Sequence, residues 1–432
     1  MALFNTFKFG REKFGKAIVA FNKKSVLEPY RKVEIKRRLA DGTGDYETDW
    51  HDITNYIKEF GTVSWNLDTE TIGVFIQSSM TLIGDNMDKA WDTETESESL
   101  FAGYLTRYKT LFRVTIGLYI SPSVAKTGSV FYGILTDNIT LTETDAILHI
   151  NSLTQVFREQ STAGMSFTGT ASNIVNIILS STDNSGNNLF DRFIEGDSIA
   201  STTLTYTDVV APTEQSCWDA ISRLCMCEDF CAYVGNDGIF YFKGKTSETD
   251  IVWNFNGPGI YDEVYGVNIE DIQQSNNIWT KVKNKVAVEH ISGSYGTAGD
   301  TWSKGDASSS DKYGEQLLSF EELWLNASEA NSVAGSLYNT YKDPKKEVVL
   351  TSTTFNPELK LLDRVKVNYY GENSVEPASL WGISVFDDAY SLSVGLWTGK
   401  KGGIYLNNES MNIIGIDLDL DNCISTFTLR EV

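Results

Sequence analysis

Apolar positions along the chain follow two spacings. Between Tyr30 and Arg38 they alternate as Val33 and Ile35, and the spacing of two returns at Val63, Trp65 and Leu67. Similar stretches lie around Gly73–Leu82, Phe112–Ile120 and Ser129–Asn138. Alternation of this kind marks strands with one buried face. Turn signals such as Asp41-Gly42-Thr43-Gly44 separate them without a strand–helix–strand rhythm, which predicts a barrel or sandwich. The acidic interval Gly84–Ser99 obeys neither spacing and is expected to be an exposed loop.

From Thr154 the spacing lengthens. Ala171–Leu179 carries an apolar run of about two turns behind a cap region containing Ser172 and Asn173, which predicts a helix. Ser201–Val210 is strand-like. In Glu214–Lys243, Trp218, Ile221, Leu224 and Cys225 form one helical stripe, with Glu214 and Asp219 in the first turn. Phe230, Ala232 and Val234 then alternate, Asn236-Asp237-Gly238 supplies a turn, and Ile239–Phe242 returns. This predicts a helix folded onto a hairpin.

Aromatic residues Trp253, Phe255, Tyr261, Tyr265 and Trp279 precede a strand at Lys281–Val288. The glycine- and serine-rich Gly293–Gly314 is expected to be a mobile polar loop. Leu325, Val333, Leu337 and Tyr341 restore helical spacing before Pro344, and strands fill Val348–Val432 except for the glycine-rich Gly395–Gly403. The expected class is mainly β with an α+β insertion: two β-barrel-like domains flanking a small α/β helix-plus-hairpin domain. The expected boundaries are an arm at 1–30, a first β domain at 31–153, the middle domain at 154–250, and a second β domain at 251–432 with loop and helix insertions.

Composition sharpens this. With 432 residues and 41% hydrophobic content the chain is globular and long enough for several domains. Its net charge of −22 argues against general nucleic-acid binding through phosphates. That charge is uneven: Met1–Arg38 holds eleven basic and three acidic residues, a local +8, leaving −30 on the other 394. Within this segment Phe7-Lys8-Phe9-Gly10 is echoed by Lys13-Phe14-Gly15. Two structures suit it: a first hairpin of the core, or an arm that lays Phe4, Phe7, Phe9 and Phe14, with Lys8 and Lys13 between, on an acidic neighbouring subunit by strand addition. No run of 18 apolar residues occurs and the N-terminus lacks a signal-peptide core, so cytoplasmic synthesis without stable membrane insertion is expected.

Candidate chemistry is sparse. Cys217, Cys225, Cys227 and Cys231 lie within fifteen residues, but their spacing lacks the two close pairs of a zinc site and suits packed free thiols. In Ile413–Asp421 the apolar Ile414, Ile416, Leu418 and Leu420 alternate with Asp417, Asp419 and Asp421, which places the acids on one face. A calcium loop would need a glycine and a distal glutamate at fixed spacing. The acids therefore form a solvated face or an acidic stripe lining a channel. Three histidines, no metalloprotease or nucleophile-elbow motif and no phosphate loop leave no catalytic site, metal or cofactor to expect. Glu96/Glu98 and Glu321-Glu322 are expected to be surface charge.

Trp218-Asp219-Ala220-Ile221 with its helix and Tyr233-Val234 to Phe242 resemble the middle domain of the central hub proteins of tailed-phage baseplates and tail tips. Leu359–Val367, with Asp363-Arg364-Val365, resembles a strand of that family, and Ile413–Leu420 through Leu429–Glu431 resembles its final strand pair. The resemblance implies a homotrimer whose six barrels close a six-fold tail tube with a three-fold ring, a symmetry adaptor in the virion tail. It implies as partners a tail tube or distal tail protein, tip, spike or fibre proteins and the tape measure protein, with DNA passing unbound. The Asp417, Asp419 and Asp421 stripe would then line the ejection channel, where acids repel a polyanion. A host-carbohydrate-binding or other peripheral tail protein is the alternative, resting on 10 tryptophans and 20 tyrosines.

Overall fold

The computed structural model describes residues 21–22 and, from 29 to 432, all except 40–43, 68–73, 76–77, 88, 90, 92–100, 102–109, 122–123, 137–138, 161–165, 183–189, 211–215, 246–248, 259, 261, 263, 276–280, 291–292, 300–308, 321–324, 353, 357 and 371–403. Phe4, Phe7, Lys8, Phe9, Lys13 and Phe14 of the arm, and the Gly395–Gly403 loop, lie outside the described residues.

The first part of the chain forms β1 (Phe21–Asn22), β2 (Pro29–Arg37), β3 (His51–Asp52), β4 (Ile57–Glu59), β5 (Thr62–Asn66), β6 (Val74–Phe75), β7 (Ser79–Asp85), β8 (Thr110–Ser121), β9 (Val124–Leu135), β10 (Thr140–Leu141) and β11 (Asp145–Ser152). The middle forms α1 (Thr154–Glu159), β12 (Ser166–Thr170), α2 (Ala171–Leu179), β13 (Gly196–Ile199), β14 (Thr205–Val210), α3 (Cys217–Glu228), β15 (Phe230–Val234) and β16 (Ile239–Gly244). Then come β17 (Ile251–Asn256), β18 (Ile269–Ser275), β19 (Lys285–Glu289), β20 (Tyr295–Gly299), α4 (Ser309–Tyr313), β21 (Leu317–Phe320), α5 (Ala327–Tyr341), β22 (Glu347–Ser352), β23 (Thr354–Phe355), β24 (Arg364–Tyr370), β25 (Tyr405–Asp419) and β26 (Ile424–Glu431).

The mainly β class with helices in several places holds, but no closed barrel is formed among the described residues. The strands instead build one fifteen-stranded sheet, ordered β18-β22-β26-β25-β5-β7-β11-β9-β8-β2-β3, with β4, β10, β17 and β24 attached. The join is β25. Its first part pairs with β24 (Val365↔Met411) and its last part with β5 (Leu418↔Val63). Alternation in the sequence gives each strand its buried face, but which strand lies beside which depends on contacts hundreds of residues apart. The buried faces confirm the join: Val63, Leu82 and Val114 share one core with Phe255, Leu350, Ile416 and Phe427.

A second core gathers the helices. α2 starts at Thr170, whose side chain accepts from the Asn173 amide, and buries Ile174, Val175 and Ile178. α3 starts at a capping box in which Ser216 and Asp219 satisfy each other's backbone amides, and it stops at Asp229, which turns left-handed at φ 52°. Its stripe of Ile221, Leu224 and Cys225 is buried as the spacing predicts, whereas Trp218 is half-buried under the Arg158 guanidinium, 4.0 Å from its ring. These helices lie on the sheet β13-β16-β15-β6, which borrows β6 from the N-terminal region in parallel with β15.

Two expectations change. Gly84–Ser99 is not wholly an exposed loop: Gly84 and Asp85 end β7, and Trp91 is buried, stacked on Phe101 at 4.1 Å. The cause lies at Gly84, where a Cβ would sit 2.6 Å from the indole, so glycine leaves the room that the ring fills. Gly293–Gly314 contains β20 and α4, and β20 pairs with β19 throughout Lys285–Glu289. Here glycine serves close approach, because a Cβ at Gly296 would meet the α5 backbone 2.7 Å away at Asn331.

Candidate functional site

The hairpin β15–β16 meets both flanking regions at its turn. Gly238 takes φ +77°, a left-handed value that glycine adopts without a Cβ clash, and the strands close as Val234↔Phe240. On one side, the Ser129 hydroxyl of β9 donates to the Asn236 carbonyl, and Asn236 Nδ2 donates back to the Ser129 carbonyl at 2.8 Å. On the other, Lys360 Nζ lies 2.6 Å from Asp237 Oδ2, and the Tyr241 hydroxyl donates to the same oxygen at 2.8 Å. Burial opposes both charges. The Lys360 hydrogen bond and charge still hold the Asp237 carboxyl below its ordinary range, and Asp237 in turn raises the Lys360 ammonium above its own.

The acidic face is placed only partly as the sequence predicts. Asp417 and Asp419 are half-buried on one face of β25 and alternate with buried Ile416, Leu418 and Leu420. Asp421 lies beyond the strand, exposed in the β25–β26 turn. All three are engaged. Asp417 accepts from the Ser64 hydroxyl. Asp419 accepts from the amides of Asp421 at 3.1 Å and Asn422 at 3.0 Å, capping the turn. Asp421 accepts from the amides of Phe60 at 3.1 Å and Gly61 at 2.9 Å, and Arg31 donates to its carbonyl at 2.9 Å. The Asp419 carboxylate therefore closes the β25–β26 turn and the Asp421 carboxylate ties that turn to the β4–β5 turn, roles that period two does not reveal.

A cleft opens where the regions converge, lined by Leu67, Asp229, Lys245, Tyr341, Leu362 and Arg430 among others. Three of its polar side chains bind one another: the Tyr341 hydroxyl donates to Asp229 Oδ1 at 2.7 Å, and Lys245 Nζ donates to the Tyr341 hydroxyl at 3.1 Å. Burial raises the Tyr341 phenol far above its ordinary value, with the Asp229 charge acting in the same direction. A neutral tyrosine held by an aspartate is a joint between elements and supplies no nucleophile.

The four clustered cysteines are buried free thiols. Burial pushes Cys217, Cys227 and Cys231 up to about 12, so they stay protonated and poorly nucleophilic. Among the described residues no group of three or more His, Cys, Asp or Glu side chains is placed to hold a metal ion. No helix among them is long and apolar enough to cross a membrane.

Glu228, at the end of α3, is a group the sequence does not single out. Burial pushes its carboxyl from 4.5 up to about 7; the Tyr206 hydroxyl, donating at 3.1 Å, works against that shift, and the Glu329 charge adds to it. The folded state thus holds this proton more tightly than the unfolded chain. Ionisation costs stability progressively as pH rises from about 4.5 to about 7, and the loss is complete above that window. Glu228→Gln is expected to raise the melting temperature at pH 8 and to change it little at pH 4.5. An equal change at both pH values in thermal scans would contradict this assignment.

No family model matches the sequence, and no curated protein matches it. Solved structures do. A tail protein from Neisseria meningitidis superposes with a TM-score of 0.53 at 10% identity, covering 93% of this chain and 96% of that one. The 43 kDa tail protein of prophage MuSo2 from Shewanella oneidensis gives 0.48 at 9% identity, over 93% and 96% of the two chains. The prophage tail protein gp18 of Listeria monocytogenes gives 0.45 at 11% identity, over 92% and 94%. The first of these likenesses establishes a fold shared with a tail protein over nearly the whole length of both chains.

Proposed function

We propose that the chain is a non-enzymatic structural protein of a phage tail, acting as the hub of a tail tip or baseplate. The observation that carries this is the fold likeness to the Neisseria tail protein, which spans 93% of this chain and leaves little of it for a separate catalytic domain. The site geometry agrees, since its ionisable groups are spent on joints between elements. Three copies form a ring that closes the six-fold tail tube and presents three-fold symmetry to tip or spike proteins beyond it. The tape measure protein and DNA pass through the ring. A net charge of −22 keeps the wall from binding DNA, with Asp417 and Asp419 contributing to an acidic lining.

Mass measurement by light scattering, alone and after mixing with the cognate tube protein, tests this. A trimer is expected, with three copies bound per tube end. A lasting monomer that ignores the tube overturns the proposal, and peripheral copies in another ratio would support a receptor-binding role instead.

A further inference from the structure

One edge of the fifteen-stranded sheet is β18, which pairs with β22 on one side and has no partner strand on the other among the described residues. Along Ile269–Gln273 its surroundings are acidic and apolar. Glu270, Asp271 and Gln273 are exposed, while Val264 and Val267 just before the strand are 47% and 49% exposed. Val349, opposite Gln273 on β22, is 38% exposed. An open edge of this length invites strand addition unless something covers it.

The same chain contains a segment of complementary chemistry. Residues 7–20 alternate phenylalanine with lysine at Phe7-Lys8-Phe9 and close on the β-prone Ile18-Val19, and residues 1–20 carry four basic side chains against one acidic. Their exit point is fixed, because Phe21 pairs with Phe355 and Asn22 with Thr354 in antiparallel register. Phe355 lies past the Ser352 end of β22, and Ser352 is the residue opposite Ile269. Twenty extended residues reach about 65 Å, enough to span to a neighbouring protomer.

We propose that residues 7–20 of one copy add as a strand to the Ile269–Gln273 edge of a second copy, with lysines facing Glu270 and Asp271 and aromatic side chains covering Val264, Val267 and Val349. The proposal rests on the ring assembly put forward above and names the contact between its subunits. Backbone hydrogen bonds supply affinity, and the charge match selects a basic strand over the acidic strands elsewhere on the chain.

The test mixes two full-length variants in a Cys423→Ser background, one with Lys13→Cys and one with Gln273→Cys, and oxidises the mixture gently. A disulfide joining the two different chains is expected, at least about tenfold reduced in yield when the second chain also carries Glu270→Lys and Asp271→Lys, or when salt is raised. A chain carrying both cysteines that cross-links only to itself overturns the proposal in favour of the arm folding back. Rings that assemble without the cross-link overturn this contact and leave the hub assignment standing. A monomer without the cross-link overturns both. Melting temperatures of the charge variants, expected to match the parent monomer, separate lost contact from lost folding.

Discussion

Replacing Phe240 with alanine is expected to destabilise the protein by about 3–5 kcal/mol, the range for emptying an aromatic site that cannot collapse. Phe240 is fully buried at the centre of the four-stranded sheet, opposite Val234 on β15 and Asp197 on β13. Its ring lies 5.5 Å from that of Phe157, which stacks on Phe190 at 4.4 Å. The loss therefore extends through a column of rings linking the hairpin to α1 and the residues before β13. Phe240→Leu, which keeps most of the volume, should cost far less. Urea unfolding followed by tryptophan fluorescence and by far-ultraviolet dichroism reads the effect. Both signals should shift together, because the hairpin is fastened to the sheet on either side. A change under about 1 kcal/mol in Phe240→Ala would show that the site relaxes and that the ring column is not a joint.

Of this column only Phe240 is legible in the sequence, together with the elements around it. The alternation through Ile239–Phe242 and the Asn236-Asp237-Gly238 turn predict the hairpin, and the Trp218 to Cys225 stripe predicts the helix above it, since both depend on neighbours within a few residues. The exceptions are informative. Trp91 reads as part of an acidic excursion because its partners, Phe101 and the space at Gly84, are visible only in three dimensions. Gly296 reads as loop flexibility but permits a helix to lie on a strand. Asp421 reads as the third member of a stripe, yet its oxygens meet the amides of Phe60 and Gly61, 361 and 360 residues away along the chain. Period two orients a side chain relative to its own strand and says nothing of what another segment brings to it. For the same reason the continuity of the sheet through β25 and β5 could not be read from two separate runs of alternation.

The turn that fastens the hairpin gives the second large effect. Lys360→Met is expected to cost about 1–3 kcal/mol, below the value for a fully buried pair because the Lys360 and Asp237 side chains keep 35% and 28% of their exposure. Methionine preserves the stem and removes the charge, leaving Asp237 with the Tyr241 hydroxyl and the Ile239 amide as donors. The pH dependence follows from the two shifts. Asp237 is held below its ordinary 3.8, so its contribution is present above that value and is lost as pH falls through the folded value. Lys360 is held above 10.5, so its contribution is present below 10.5 and is lost as pH rises through the folded value. The difference between wild type and Lys360→Met should therefore be flat from about pH 5 to pH 10 and narrow at both ends. In a double-mutant cycle with Asp237→Asn, the coupling should account for most of the loss at pH 7 and fade in acid. Coupling that stays constant down to pH 2 would mean that Lys360 acts through its methylene packing on Tyr241, and that the charge pair does not hold the hairpin to the C-terminal strands.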